Sequence, residues 1–104
     1  MEIVFKEEYL KTMYLTGKTD KKHRYQPQII RKYIRVIELM ADSPNVADLN
    51  RYNALNYEKL KGDKAGLSSV RVNDQYRIEF EEHTKEGETI ATICNITELS
   101  NHYK

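Results

Sequence analysis

The sequence is poor in cysteine, tryptophan, proline and glycine. Its 104 residues include one cysteine, no tryptophan, two prolines and four glycines. A single cysteine excludes an intramolecular disulfide, and the apolar neighbours Ile93 and Ile96 predict that the Cys94 thiol is buried. The fold therefore depends on one hydrophobic core, which a single domain spanning residues 1–104 can supply.

Long apolar runs are also absent. No segment approaches the ~20 apolar residues that a transmembrane helix needs. The opening residues, MEIVFKEEYL, lack the apolar core and the cleavage pattern of a signal peptide. We therefore expect a soluble, cytoplasmic protein that has no membrane partner.

Neither sign of charge is in excess overall, but the charges are unevenly distributed. The formal net charge is +1, whereas Asp20 is the one acid of segment 17–35. The bases of that segment are Lys18, Lys21, Lys22, Arg24, Arg31, Lys32 and Arg35. Such a cluster is a candidate for binding a phosphate polymer. A solvated helix face explains the same pattern, and charge alone favours that simpler interpretation.

Two helices are predicted in the first half of the sequence. Residues 7–16 have the helical period, and Gly17 is a typical helix stop. Pro27 is suited to the first turn of a second helix, because that turn does not need its N–H group. The apolar residues that continue this helix are Ile30, Ile34, Ile37 and Ala41. The Ser43-Pro44 pair then ends it.

Alternation with a period of two predicts strands at the start of the chain and in its second half. Residues 2–6 are β-prone, and residues 68–72 and 76–80 alternate around a turn at Asn73-Asp74. Residues 89–96 form a further, mostly apolar strand. This order predicts an α+β domain in which two N-terminal helices pack on a small antiparallel sheet of four to five strands.

The predicted hairpin carries the candidate chemistry. Its apolar residues, Val70, Val72, Tyr76, Ile78 and Phe80, alternate onto one side. Arg71 and Arg77 go to the other side and lie close together across the turn. Lys61 and Lys64 come just upstream, so these cations predict one anion-facing patch. On spacing alone, the arginines are also explained as cross-strand partners of Glu58, Glu79 or Glu81.

Residues 60–80, LKGDKAGLSSVRVNDQYRIEF, closely resemble the central segment of HigB-type toxins, the plasmid-maintenance killer branch of the RelE superfamily. That signature joins a Leu-Lys-Gly-Asp turn, a Ser-x-Arg-Val-Asn strand and a Gln-Tyr-Arg-Ile strand. Its parts begin here at Leu60, Ser69 and Gln75. The order of predicted elements is also similar to that family's fold. The resemblance implies a RelE-like toxin of a type II toxin–antitoxin system.

The resemblance further implies an endoribonuclease that cuts mRNA in the ribosomal A site and is held inactive by a helix-turn-helix antitoxin of the HigA kind. RNA supplies its own 2′-OH nucleophile, so a base and cations suffice, and neither a metal nor another cofactor is needed. Lys61, Arg71 and Arg77 are the predicted electrostatic residues. The other predicted RNA contacts are Lys18, Lys21, Lys22, Arg24, Lys59 and Lys64.

The acid and the base of this reaction are less clearly marked. HigB-like chains commonly carry Asp-Tyr-His after the last strand, whereas this sequence reads ITELSNHYK there. Glu98 stands near the acidic position, and His102 and Tyr103 come later and in reversed order. We predict catalytic roles for these three residues, with a frayed tail as the alternative for the last two. Some relatives also carry a histidine before the Lys-Gly turn, which this sequence lacks.

Two other functions fit the same sequence. A degenerate toxin fold would keep antitoxin and RNA binding without efficient cleavage, and the irregular tail is the reason to consider it. A general RNA- or DNA-binding domain would use segment 18–35 and bind naked nucleic acid with a steep salt dependence. Mapping of transcripts by primer extension separates a nuclease from a binder, because only cleavage creates new 5′ ends.

Overall fold

The computed structural model describes residues 1–101, so the candidates His102 and Tyr103 lie outside the described residues. The helices are α1 (Glu8–Thr16) and α2 (Pro27–Asp42). The strands are β1 (Glu2–Phe5), β2 (Glu58–Lys59), β3 (Ser68–Arg71), β4 (Arg77–His83) and β5 (Ile93–Ser100). Short 3-10 helices at Val46–Arg51, Asn53–Leu55 and Gly62–Lys64 occupy the connections around β2.

Both α-helices begin and end within one residue of the predicted bounds. Helix α1 stops at Gly17, whose φ of 73° is a left-handed conformation that glycine adopts without strain. Helix α2 begins at Pro27 and ends at Asp42, and the next residue, Ser43, is extended. The Tyr33 hydroxyl donates a hydrogen bond to the Leu10 carbonyl at 2.8 Å, which joins the buried faces of the two helices.

The strands form one five-stranded sheet in the order β1-β5-β4-β3-β2. Five strands and two N-terminal helices confirm the predicted α+β class. One edge differs from the antiparallel expectation, because β1 pairs with β5 in parallel and Ile3 lies opposite Cys94. Parallel neighbours need a long crossover, and the helices and strands between β1 and β5 supply it. The sheet is therefore mixed.

Strand β5 lies further along the chain than its apolar residues predict. It spans Ile93–Ser100 rather than residues 89–96. Residues 89–92 stay outside the strand, and the Ala91 carbonyl accepts a hydrogen bond from the Val46 N–H at 3.0 Å. Glu98 consequently lies inside the last described strand and not after it.

A β-bulge between β4 and β5 explains this extension. Glu79 lies opposite Glu98, but its neighbour Phe80 lies opposite Ile96, so Thr97 is an extra residue. The Thr97 hydroxyl donates to the Glu79 carbonyl at 3.1 Å. The bulge turns Leu99 toward the core and Glu98 away from it, whereas a strict period of two from Ile96 would bury Glu98.

The core lies between the helices and one face of the sheet. Its largest apolar side chains that are fully buried are Tyr33, Phe80, Leu10, Met13, Ile37, Met40, Leu49, Ile78 and Ile96. Cys94 is buried as predicted, and burial raises the pKa of its thiol to about 12. No helix within residues 1–101 is long and apolar enough to cross a membrane.

Candidate active site on the polar face of the sheet

Polar side chains cover the face of β3, β4 and β5 that points away from the helices, here called the polar face. The strand register arranges them in two rows. The glutamate row consists of Glu58, Ser69, Glu79 and Glu98, which lie opposite one another from β2 to β5. The arginine row consists of Arg71, Arg77 and Ser100. The two rows are two residues apart on each strand, which is a separation of about 7 Å.

Arg71 and Arg77 are direct partners across β3 and β4, so the hairpin places them opposite one another as expected. Arg71 is half-buried and forms an ion pair with Asp74 across the turn. The Asn73 Oδ1 accepts hydrogen bonds from the backbone N–H groups of Gln75 and Tyr76, at 2.9 and 2.8 Å. This side chain therefore holds the turn that brings the two arginines together.

Arg77 is buried, and the expectation that its guanidinium faces an open patch is wrong. Only 6% of the residue is exposed. Its Nε donates to the Ser69 hydroxyl at 2.9 Å and its Nη2 donates to the Asn56 carbonyl at 2.6 Å. A Glu58 carboxylate oxygen lies 3.8 Å from the same nitrogen. Asn56 has a φ of 43°, and this left-handed conformation ends the preceding 3-10 helix beside the sheet.

The lysines of the β2–β3 connection lie at the other end of β3 from Arg71. Lys61 is exposed and precedes β3, whereas Arg71 is the last residue of that strand, roughly 10 Å further along. Lys64 turns onto the polar face, where its Nζ lies 2.5 Å from a carboxylate oxygen of Glu79. Lys59 is exposed and its Nζ is 4.0 Å from Glu82. The predicted compact patch of Lys61, Arg71 and Arg77 is therefore corrected to an elongated surface.

Glu79 is the residue of this site that sequence reasoning missed. Its side chain is 2% exposed, although it carries a carboxylate on the polar face. The spacing of charges predicted Glu79 only as a partner of the arginines, whereas the structure pairs it with Lys64 and places it opposite Glu98. Its position two residues after Arg77 on the same strand was the available signal.

An open groove of 440 Å³ runs along the polar face beside the glutamate row. Glu79, Glu81, Glu98 and Lys6 contribute its charged lining. Hydrogen bonds from Asn95 and His83 hold the pKa of Glu81 below its usual value. Glu98 on β5 and the half-buried Arg71 on β3 lie on the two strands that flank β4, so a proton acceptor and an anion-binding group share one face of the sheet.

The α1–α2 connection presents the predicted RNA-binding residues Lys18, Lys21, Lys22 and Arg24. All four are exposed, and none forms an ion pair with an acid of the described chain. The His23 ring stacks on Tyr9 with centroids 3.5 Å apart, and its Nδ1 lies 2.9 Å from Asp20. The Tyr25 hydroxyl donates to the Leu99 carbonyl at 3.0 Å. These contacts hold the basic connection beside the Ser100 end of the arginine row.

Known structures share this fold over nearly the whole chain. A YoeB/ParE toxin from Agrobacterium tumefaciens superposes with a TM-score of 0.60 at 19% identity, covering 99% of this chain and 100% of that one. The YoeB–YefM complex from Staphylococcus aureus gives a TM-score of 0.58 at 16% identity, covering 99% and 98%. A YafQ variant from E. coli gives 0.57 at 13%, covering 97% and 92%. At these identities the likeness shows the fold.

Sequence comparison shows the family. Toxin HigB-1 from Vibrio cholerae serotype O1 is 33% identical over 82 residues, which are 78% of this chain and 83% of that protein. A family model described as the RelE-like toxin of the type II toxin–antitoxin system HigB matches residues 3–94. The chain therefore belongs to the HigB-like family and is a toxin of a type II toxin–antitoxin system.

Proposed function

We propose that this toxin is a metal-independent endoribonuclease that cuts mRNA on the ribosome and thereby blocks translation. One observation carries the proposal: the arginine row lies directly beside the glutamate row on the polar face. Cleavage of RNA by its own 2′-OH needs an acceptor for one proton and cations for the developing charge. Adjacent rows of carboxylates and guanidinium groups meet both needs.

In the proposed step, the 2′-oxygen forms a bond to phosphorus while the bond from phosphorus to the 5′-oxygen breaks. Glu98 accepts the proton of the 2′-OH and the half-buried Arg71 stabilises the negative charge of the phosphorane, while Arg77 adds its positive charge from its buried position without touching the RNA. A proton delivered to the departing 5′-oxygen completes the step. The products are a 2′,3′-cyclic phosphate and a 5′-OH end, and the balance needs no metal and no redox partner.

Other predicted residues take supporting roles in this proposal. The exposed Lys61, at the other end of β3, binds a neighbouring phosphate of the RNA, and His102 or Tyr103 supplies the proton for the leaving group. The remaining RNA contacts in the proposal are Lys18, Lys21, Lys22, Arg24, Lys59 and Lys64. The partners are the ribosome with its mRNA in the cytoplasm and a helix-turn-helix antitoxin of the HigA kind.

Replacement of Arg71 tests the proposal with little risk to the fold, because its side chain is 39% exposed and its partner Asp74 is 93% exposed. We expect Arg71→Gln to reduce cleavage in a ribosome-based assay by about 100-fold, the cost of one lost stabilising donor. The measurement maps new 5′ ends by primer extension and identifies the 2′,3′-cyclic phosphate. Lys85→Gln, on the β4–β5 turn, is the matched control for loss of one exposed charge.

Full cleavage by folded Arg71→Gln would contradict this assignment. An acquired need for added divalent ions, or products with a 5′-phosphate, would contradict the reaction itself. The Glu98→Gln variant tests the glutamate row in the same way: we expect it to lower the cleavage rate by about 100-fold through loss of the proton acceptor, whereas the control Lys85→Gln keeps the rate.

The burial of Arg77 favours a second candidate, a binding module without efficient cleavage. A guanidinium that already contacts Ser69, Asn56 and Glu58 has a structural use that does not involve RNA. This candidate predicts ribosome binding without new 5′ ends in transcripts. The primer-extension measurement therefore decides between the two functions.

A further inference from the structure

A stripe of polar and basic side chains runs along the outer surface of α2. Gln28, Arg31, Lys32 and Arg35 recur at the spacing that places residues on one helix face, opposite the buried side of the helix. We call these four residues the α2 stripe. Together with Asn73 at the hairpin turn they line a groove of 290 Å³.

The charges of the α2 stripe are not neutralised by any acid of the described residues, 1–101. Arg31, Lys32 and Arg35 are exposed, and none of them is within ion-pair distance of an acid among residues 1–101. Within the same described range, no carboxylate lines the groove. Three like charges this close repel one another, so a bound anion would relieve the repulsion.

Asn73 adds a hydrogen-bond donor to the same groove. Its Oδ1 is used by the N–H groups of Gln75 and Tyr76, so the amide NH2 is the part of the side chain that can serve a ligand. The groove thus combines three cations with a neutral donor. Phosphate oxygens accept from both kinds of group.

The chemistry of the groove favours RNA over an acidic protein. Protein interfaces have apolar centres, whereas nucleic-acid interfaces are polar and strongly positive. Of the described residues that line the groove, Ile29 is the only large apolar one, and at 4% exposed it offers almost no apolar contact. Large exposed apolar side chains lie elsewhere, at Leu15 and Ile90 for example.

The α2 stripe lies on the helical side of the protein, whereas the arginine row lies on the opposite face of the sheet. We propose that the α2 stripe binds the phosphate backbone of structured RNA in the ribosome, a different RNA segment from the strand cleaved on the polar face. This inference rests on the proposed ribosomal function and adds a second, anchoring RNA surface to it.

The test compares two triple variants that lose the same charge. The first removes the α2 cations, as Arg31→Gln, Lys32→Gln and Arg35→Gln. The control removes exposed cations elsewhere, as Lys11→Gln, Arg51→Gln and Lys85→Gln. Binding is measured over a range of salt concentrations to purified ribosomes and to a short RNA duplex of mixed sequence. The duplex separates general affinity for RNA helices from recognition of the ribosome.

We expect the α2 variant to bind ribosomes at least roughly tenfold more weakly at low salt, with a log–log salt slope shallower by about two to three. The control variant should keep the slope of the unmodified protein. When the α2 variant saturates the ribosomes, it should cut mRNA at the same sites as the unmodified protein. Equal slopes for the α2 variant and the unmodified protein would overturn the inference. Binding to poly-glutamate is measured alongside, as a substitute for an acidic protein. If the α2 variant binds poly-glutamate more weakly but binds RNA as the unmodified protein does, the inference is also overturned.

These outcomes are independent of the nuclease proposal. If the unmodified protein binds ribosomes through the α2 stripe but leaves no new 5′ ends, the anchoring surface stands and the proposed nuclease function fails. If cleavage is observed while the α2 variant binds normally, only the anchoring surface fails.

Discussion

The polar face and the α2 stripe use positive charge in opposite ways. On the polar face, Arg71, Arg77 and Lys64 each contact an internal acceptor, and Arg77 is almost completely buried. On the α2 stripe, the cations are exposed and have no acidic partner in the described chain. A basic side chain can thus stabilise the fold or remain exposed and available to a ligand. Its surroundings, rather than its charge, decide which of these uses it has.

The largest effect should come from Arg77→Ala, which removes the buried guanidinium from its Ser69 and Asn56 acceptors. We expect the free energy of unfolding to fall by about 3 kcal/mol, because removal of the guanidinium leaves its buried hydrogen-bond acceptors without a donor. Denaturant unfolding followed by circular dichroism measures the change. Arg77→Lys is the matched variant, since it keeps the charge but loses the planar fork. A loss below ~0.5 kcal/mol for Arg77→Ala would remove the contrast between the two regions.

An intermediate effect is expected for the Lys64–Glu79 ion pair. Lys64→Met should destabilise the protein by roughly 2 kcal/mol, because the buried Glu79 carboxylate loses a cation at 2.5 Å. Adding Glu79→Gln should recover part of that loss. A double-mutant cycle measures the coupling, which we expect to be about 1 kcal/mol or more. Additive single-variant effects would mean that the Lys64–Glu79 ion pair contributes no more to the free energy of unfolding than the exposed cations of the α2 stripe do.

The smallest effect on stability is expected for the α2 stripe itself. Since its cations are exposed, the triple glutamine variant should change the free energy of unfolding by less than ~1 kcal/mol, and relief of like-charge repulsion favours a slight gain. The same unfolding experiment measures it. A loss as large as that of Arg77→Ala would show that the stripe supports the fold, and the comparison would then fail.

Local signals made much of the fold predictable. Helix stops, the proline at the start of α2 and the alternation of β3 and β4 each depend on neighbouring residues, and each led to the observed element. The opposition of Arg71 and Arg77 followed from the same alternation and from the turn-forming Asn73. The identity of the family rested on a short motif in this hairpin.

The remaining features depend on contacts between distant segments. The Asn56 carbonyl that accepts from Arg77 follows the 3-10 helix Asn53–Leu55, outside the hairpin, so no period within residues 68–80 reveals this contact. The bulge at Thr97 shifts the alternation of β5 by one residue and moves Glu98 to the polar face. Both features depend on contacts between segments that are distant in the sequence, so the local pattern of any one segment does not predict them.

The pairing of β5 between β1 and β4 has a consequence for synthesis of this toxin. Strand β5 is the last one described and fills a central place in the sheet, so β1 and β4 lack a shared neighbour until it is made. A nascent chain without residues 93–100 exposes two strand edges and lacks Glu98 and the Ser100 end of the arginine row. The polar face is therefore incomplete until β5 has been made and has paired with both β1 and β4.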